Sequence, residues 1–216
     1  MPEPALIITA DDFGYSPRYD EGILEAARAG AVDAVSVLVR GGAVGSLAQA
    51  KVEIGLHLDI SAKRSEAMRE AQEQVRRFEE LFGAPPAYLD GHHHSHAAPS
   101  VAAGVGQLAR ELGAPVRSVD DRHRRLLRAL GVNTQDHVIG RLDQSEPVMP
   151  PEIQSVLDGG ALPSGVTEWI VHPGHMDPSA GSRYDTGRGE DLALVLDLAN
   201  NRKLREARTS HAAGAH

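Results

Sequence analysis

The side chains best suited to chemistry fall into four short clusters of carboxylates and imidazoles. They occupy residues 10–14 (Ala-Asp-Asp-Phe-Gly), 55–59 (Gly-Leu-His-Leu-Asp), 90–96 (Asp-Gly-His-His-His-Ser-His) and 172–175 (His-Pro-Gly-His). Each cluster alone has a plain structural explanation, since aspartate pairs cap turns, single histidines pack in cores and His-Pro-Gly forms a turn. All four follow predicted strands, however, and this shared placement predicts one polar site.

The donor types indicate a metal-dependent hydrolase. The chain has no cysteine, so any metal must be held by nitrogen and oxygen ligands. Catalytic divalent sites commonly use three protein ligands and keep one position for water, and one carboxylate with two imidazoles fits that number. Such an ion activates water for attack on a carbonyl, and a second carboxylate can take the proton. Two adjacent aspartates at a strand end can divide these roles, because neighbouring side chains diverge where the chain turns.

The elements that must position these clusters alternate along the chain. Apolar runs predict strands at residues 6–10, 32–39, 53–58, 87–90, 115–119, 137–139 and 167–172. Helical periodicity and capping residues predict helices at 17–29, 46–51, 63–82, 99–112, 120–130 and 190–198. The alternation predicts an α/β fold with a parallel sheet, open or closed into a barrel, whose strands carry the site at their carboxyl ends.

Chain length and net charge further restrict the class of protein. The 216 residues predict a single domain over residues 1–207, followed by an Ala/Gly-rich disordered tail at 208–216 in which His211 and His216 would have no part in the site. A formal net charge of −8 without a basic stripe argues against a nucleic-acid partner. No segment reaches membrane-spanning length and the amino terminus lacks a basic signal region, so we expect a cytoplasmic protein without a membrane partner.

The order of the motifs resembles the YdjC/ChbG-type carbohydrate deacetylases. The resemblance runs from Leu6 to Glu190 and rests on Ala-Asp-Asp-Phe-Gly, Gly-Leu-His-Leu, the His cluster followed by Pro99, and Thr-Glu-Trp-Ile-Val-His-Pro-Gly, taken together. It implies a distorted (β/α) barrel that removes N-acetyl groups from amino sugars such as chitin-derived oligosaccharides.

The same resemblance implies roles for particular residues. By position, the divalent metal ligands are Asp12, His57 and His92; Asp11 resembles the catalytic base, and His172 resembles the histidine that assists the leaving amine. Further residues are candidates for contacts with substrate or with these groups: His94, His96, Asp90, Arg117 and Glu168. If the His cluster is extended, His94 and His96 face the same side as His92. We expect Asp90 or Glu168 to hold a ring nitrogen or Arg117.

The chain departs from the family in the segment between His57 and His92, which is usually longer. Its shortness keeps a second enzymatic hypothesis open, an amidohydrolase acting on another small acylated substrate. A third hypothesis is a non-catalytic His-rich protein that binds several metal ions. Two imidazoles favour zinc, while the family also admits magnesium or another divalent ion. The predicted partner is then a small molecule or an oligosaccharide, and a homodimer is a further possible assembly.

Overall fold

In the described part of the chain the sheet consists of six strands. The computed structural model describes residues 2–40, 44–61, 63–140, 147–209 and 211. The strands are β1 (Ala5–Phe13), β2 (Ala34–Val37), β3 (Glu53–Leu58), β4 (Leu89–Gly91), β5 (His137–Gly140) and β6 (Val166–Val171). They pair in the order β4-β3-β2-β1-β6-β5, and every pair is parallel.

Seven α-helices accompany this sheet in the described residues. They are α1 (Pro17–Arg28), α2 (Arg64–Phe82), α3 (Ala102–Leu112), α4 (Asp121–Ala129), α5 (Pro151–Leu157), α6 (Asp185–Leu198) and α7 (Arg202–Ala207), among the described residues. Short 3₁₀ helices span Val44–Gln49, His92–Ala97 and Pro178–Ala180. None of the helices in this part of the chain is both long and apolar enough to cross a bilayer.

The sheet curls into a half-barrel whose edges are β4 and β5. This confirms the predicted α/β class and the distorted parallel barrel. The main apolar core lies between the convex face and the helices, and a small separate cluster contains Ile7, Ala34 and Tyr88. Successive strand side chains alternate between faces, so Ile7 shares the concave face with Asp11, and Tyr88 shares it with Asp90. The concave face is therefore apolar at one end and polar toward the carboxyl ends of the strands.

One predicted strand, at residues 115–119, is wrong. This segment lies beside β4 but forms only an isolated bridge, between Leu89 and Val116. The Val116 N–H donates to the carbonyl of Asn133, and the Ser118 N–H donates to the side chain of Gln135. On the other side, two backbone hydrogen bonds join the segment to β4, from the Leu89 N–H to the carbonyl of Pro115 and from the Arg117 N–H to the carbonyl of Leu89. They make one bridge and no ladder among the described residues.

Several other predicted boundaries differ from those in the structure, and two helices were not predicted. β1 extends through residues 11–13, so the aspartate pair belongs to the strand rather than following it. α3 begins at Ala102 rather than at 99, and α6 begins at Asp185 rather than at 190. α5 and α7 were not predicted, since each has only six or seven residues and such short helices show little periodicity.

The expected disordered tail is wrong where the structure describes it. The Arg208 guanidinium donates to Asp33 at 2.7 Å, the Thr209 N–H donates to the carbonyl of Leu6 at 2.8 Å, and His211 is buried. Polar partners inside the fold, which composition does not reveal, order this part of the chain. His216 lies outside the described residues.

Candidate active site

An irregularity in β1 brings both aspartates of the first cluster to the concave side. The register between β1 and β2 shifts after Ala10, and Asp12 has a left-handed backbone with φ of 74°. Aspartate is among the few residues that tolerate this conformation. In a regular strand consecutive side chains would face opposite ways. Here Asp11 contacts Arg117 while Asp12 contacts His57, and both carboxylates reach one site.

Arg117 is a buried cation that contacts three buried carboxylates. Its guanidinium donates to both oxygens of Asp11, at 2.6 and 2.8 Å, and to Glu168 at 2.9 and 3.0 Å. It also lies 2.8 Å from Asp90. Burial alone would raise the pKa of Asp11, but the charges of Arg117 and His57 outweigh burial and lower it. Asp11 is therefore held as an oriented, ionised carboxylate.

Asp12, His57 and His92 converge, as the family resemblance requires of a metal site. The Oδ1 atom of Asp12 lies 2.8 Å from Nδ1 of His92 and 3.3 Å from Nε2 of His57. The ligand atoms of all three lie within 4.8 Å of one another. On its other side, Nδ1 of His57 lies 2.8 Å from Asp90. A carboxylate on the far nitrogen orients a ligating imidazole and raises its basicity.

The same residues show why a cation suits this place. Burial alone would lower the pKa of His57, but the charges of Asp90 and Asp11 and a hydrogen bond to Asp12 raise it well above its usual value. The carboxylates thus favour positive charge at His57. One carboxylate and two imidazoles fit a three-ligand divalent site. A second set of Asp11, His57 and Asp90 is equally compact, but both of its carboxylates already contact the guanidinium of Arg117.

The His cluster is not extended, and the expectation that His94 and His96 face the same side as His92 is wrong for His96. His93 and His94 both have left-handed backbones, with φ of 50° and 56°, inside the 3₁₀ segment. His94 lines the cavity described below. His96 instead is fully buried, with Nε2 2.9 Å from the carbonyl of Arg117. A Cβ on Gly91 would lie 2.7 Å from the His96 ring, so Gly91 gives that ring its room.

His172 follows β6 and lines the same cavity. Its backbone N–H donates to Asp191 at 2.9 Å, and its ring lies 4.9 Å from the ring of Tyr184. Nδ1 of the ring is buried and has no hydrogen-bond partner among the described residues. Burial lowers the pKa of His172, although Asp12 and Asp11 oppose the shift. The ring is therefore neutral near pH 7.

Arg188 is a site residue that the sequence analysis missed. It is buried, its Nη2 lies 2.5 Å from Oδ2 of Asp12, and its guanidinium carbon lies 3.8 Å from the centre of the Tyr19 ring. A Cβ on Gly174 would lie 3.2 Å from Cδ of Arg188, so the glycine of His-Pro-Gly leaves space for this side chain. Gly174 was the only local feature of the sequence that could have indicated Arg188. The helix pattern gave no indication, because α6 was expected to begin after residue 188.

These groups line one cavity of about 920 Å³ at the carboxyl ends of the strands. Its wall includes Asp11, Asp12, His57, His92 and His172. Tyr15 also lines it, 37% exposed, with its ring 5.6 Å from that of His92. The volume lies within the usual range for small-molecule sites. The arrangement places an ionised Asp11, three side chains that could hold a metal ion and a neutral His172 around one cavity.

Comparison with known proteins identifies related sequences. The model of the family described as YdjC-like protein matches residues 5–67 and 59–206. A carbohydrate deacetylase from Mus musculus is 34% identical over 141 residues, which are 47% of this chain and 46% of that protein. A carbohydrate deacetylase from Geobacillus stearothermophilus is 28% identical over 225 residues, covering 88% of this chain and 89% of that protein. The chain spans about half the length of the first curated relatives it matches.

A solved structure shares the fold. A candidate cellobiose-phosphate cleavage protein from Enterococcus faecalis V583 superposes with a TM-score of 0.78. The match covers 99% of this chain and 100% of that one, at 20% sequence identity. The half-barrel is therefore an architecture seen in crystals.

Proposed function

This chain belongs to the family of YdjC-like proteins, and from that premise we propose that it is a metal-dependent hydrolase that removes N-acetyl groups from amino sugars or chitin-derived oligosaccharides. The observation that carries the proposal is the convergence of Asp12, His57 and His92 beside an ionised Asp11 in one cavity. The family relatives named as carbohydrate deacetylases supply the substrate class.

The proposed metal ligands are Asp12, His57 and His92. When bound, a divalent ion lowers the pKa of a water molecule and polarises a carbonyl. The oxygen and nitrogen donors favour zinc, with magnesium or another divalent ion as the alternative. Asp90 holds Nδ1 of His57 and so keeps Nε2 directed toward Asp12.

Asp11 is the proposed general base. Its oxygens accept hydrogen bonds from Arg117, yet each oxygen keeps a further lone pair that can take a proton from the attacking water. Arg117 fixes the orientation of the carboxylate, since its guanidinium also donates to Glu168 and lies beside Asp90. Base and attacking water thus meet without reorganisation of the protein.

His172 is the proposed acid for the leaving amine. An amide nitrogen leaves poorly until it is protonated, so the reaction needs a donor as well as a base. His172 lines the cavity that Asp11 and Asp12 also line. Because burial lowers the pKa of His172, its protonated form is the minor one at neutral pH. Asp11 then releases to solvent the proton that it took from water, and His172 takes up a proton from solvent, so both groups regain their starting states.

Two features bear on the substrate. Tyr15 presents a partly exposed ring to the cavity, a surface suited to the apolar face of a sugar ring. The short connection after β3, with α2 beginning at Arg64, favours a second candidate, another small acylated amide. The deciding experiment is acetate release from N-acetylglucosamine oligomers and from non-sugar acetamides.

Each assay is run with chelator and after readdition of zinc or magnesium. We expect chelator-sensitive release from the sugars. His57→Gln should abolish it, whereas His137→Gln, on a strand outside the cavity, should keep it. Release from acetamides alone would support the second candidate, and no release from either class would contradict both. Binding of one ion per chain fits catalysis, and several ions fit the storage hypothesis.

A further inference from the structure

A residue of the C-terminal tail lies inside the half-barrel, at the end opposite the cavity. His211 is only 8% exposed, and its backbone N–H donates to Glu53 at 2.8 Å. Glu53 is the first residue of β3, whereas the candidate site lies at the other end of the strands. The ring of His211 stacks on that of Tyr88, with centres 3.9 Å apart and planes 12° apart.

The imidazole of His211 connects opposite sides of the open sheet. Nδ1 lies 3.0 Å from Glu53 on β3, and Nε2 lies 3.5 Å from Oε1 of Glu168 on β6. β3 and β6 are separated by two other strands in the sheet. Burial alone would lower the pKa of His211, but the two glutamates raise it to about 9. A cation thus bridges two carboxylates across the barrel.

Glu168 needs that second cation. It is fully buried, and its Oε1 accepts both hydrogen bonds from Arg117. Its Oε2 has no hydrogen-bond partner in the described part of the chain. Arg117 meanwhile serves Asp11 and Asp90 as well. His57 also faces Asp11 and Asp90, whereas His211 is the only cation besides Arg117 recorded beside Glu168 among the described residues. A buried charge that loses its partner is costly.

Resting on the proposed function, we propose that His211 is a positioning residue for the general base: it holds Glu168 in place so that Arg117 stays clamped on Asp11. Without the imidazole, Glu168 depends on Arg117 alone for positive charge within the described part of the chain, and it draws the guanidinium toward itself. The bidentate pair with Asp11 would then loosen, although His211 touches neither Asp11 nor the cavity lining.

The test compares His211→Phe with His211→Gln and with His137→Phe in the full chain. Phenylalanine keeps a ring to stack on Tyr88 but removes both nitrogens, and glutamine keeps one donor without the charge. His137 is the matched control, since its ring lies 3.2 Å from the backbone carbonyl of Ser164 and outside the cavity. The readouts are kcat and KM for N-acetylglucosamine oligomers, metal content, and the NMR signals of the Arg117 side-chain N–H groups.

We expect His211→Phe to lower kcat about 10-fold with KM within about twofold, since misplacement of about 1 Å can cost about 10²-fold. Metal content should not change. The Arg117 N–H signals should shift and exchange faster with solvent in His211→Phe, less so in His211→Gln, and not in His137→Phe. If His211→Phe does not fold, the same measurements on His211→Gln test the proposal.

Wild-type kcat together with unchanged Arg117 signals, in a variant that merely melts earlier, would overturn the proposal. The NMR arm needs no substrate. If wild type released no acetate from any sugar, the proposed function would fail, while the Arg117 signals would still decide whether His211 positions the clamp.

Discussion

Deprotonation of His211 should make the protein less stable in alkali. The pKa of His211 rises from 6.5 to about 9 in the fold. A group with a raised pKa contributes its full stability below the unfolded value and loses it as the pH rises through the folded value. The contribution is therefore complete below about pH 6.5 and disappears by about pH 10.

The magnitude follows from the shift. A difference of one unit corresponds to about 1.4 kcal/mol, so the shift of His211 corresponds to about 3 kcal/mol of unfolding free energy. That is a large share of the stability of an ordinary domain. Tyr88, which stacks on His211, has a pKa raised well above 10, so its titration does not overlap.

The assay is urea unfolding at constant ionic strength from about pH 6 to about pH 10, for wild type and His211→Phe. Wild type should lose about 3 kcal/mol more than the variant over this range, because only wild type has the imidazolium to lose. Other alkaline titrations occur in both proteins and cancel in the difference. Parallel pH curves would refute the ion pairing of His211 with Glu53 and Glu168.

The remaining predictions concern the cavity. Asp11→Asn should lower kcat about 10²–10⁴-fold at unchanged metal content, as loss of a general base does; it should also lower the unfolding free energy, because Arg117 loses a charged partner. Wild-type kcat in a metal-loaded variant would remove Asp11 from the mechanism. His172→Ala should lose most of its rate on N-acetyl sugars and less on activated esters, whose leaving groups need no proton; equal losses would contradict the acid role. Since burial lowers the pKa of His172, wild-type kcat/KM on N-acetyl sugars should fall as the pH rises above neutrality, and a flat profile would count against protonated His172. His92→Ala should reduce bound zinc from one ion per chain, measured by metal analysis after dialysis; full retention would exclude His92 as a ligand.

The sequence predicted the sheet well because its signals are local. Runs of β-branched residues mark β2 and β6, and Gly83 and Gly113 end α2 and α3 in left-handed conformations, as glycines after helices commonly do. Polar residues after such strands had to meet at one edge of a parallel sheet. The proximity of Asp12 to His57 is a consequence of that topology.

The parts that could not be predicted depend on contacts between distant residues. Nothing near Arg117 indicates that it faces Asp11, which is 106 residues away. Arg188 reaches Asp12 across 176 residues. His211 lies in a segment whose composition indicates disorder, and its order comes from Glu53 and Glu168. Tertiary packing and charge balance determine such pairs, and patterns within short stretches of sequence do not reveal them.

The left-handed backbone of Asp12 has a conformational cost that its buried ion pair offsets. A non-glycine residue at φ of 74° carries a conformational cost on the order of 1–3 kcal/mol, which the surroundings must offset. A glycine at this position would relieve that cost and abolish the carboxylate. It would also leave the buried Arg188 guanidinium without its partner, and breaking a buried ion pair costs about 3–5 kcal/mol. The ion pair therefore outweighs the conformational cost, and laboratory evolution toward heat resistance should keep the aspartate even without an activity screen.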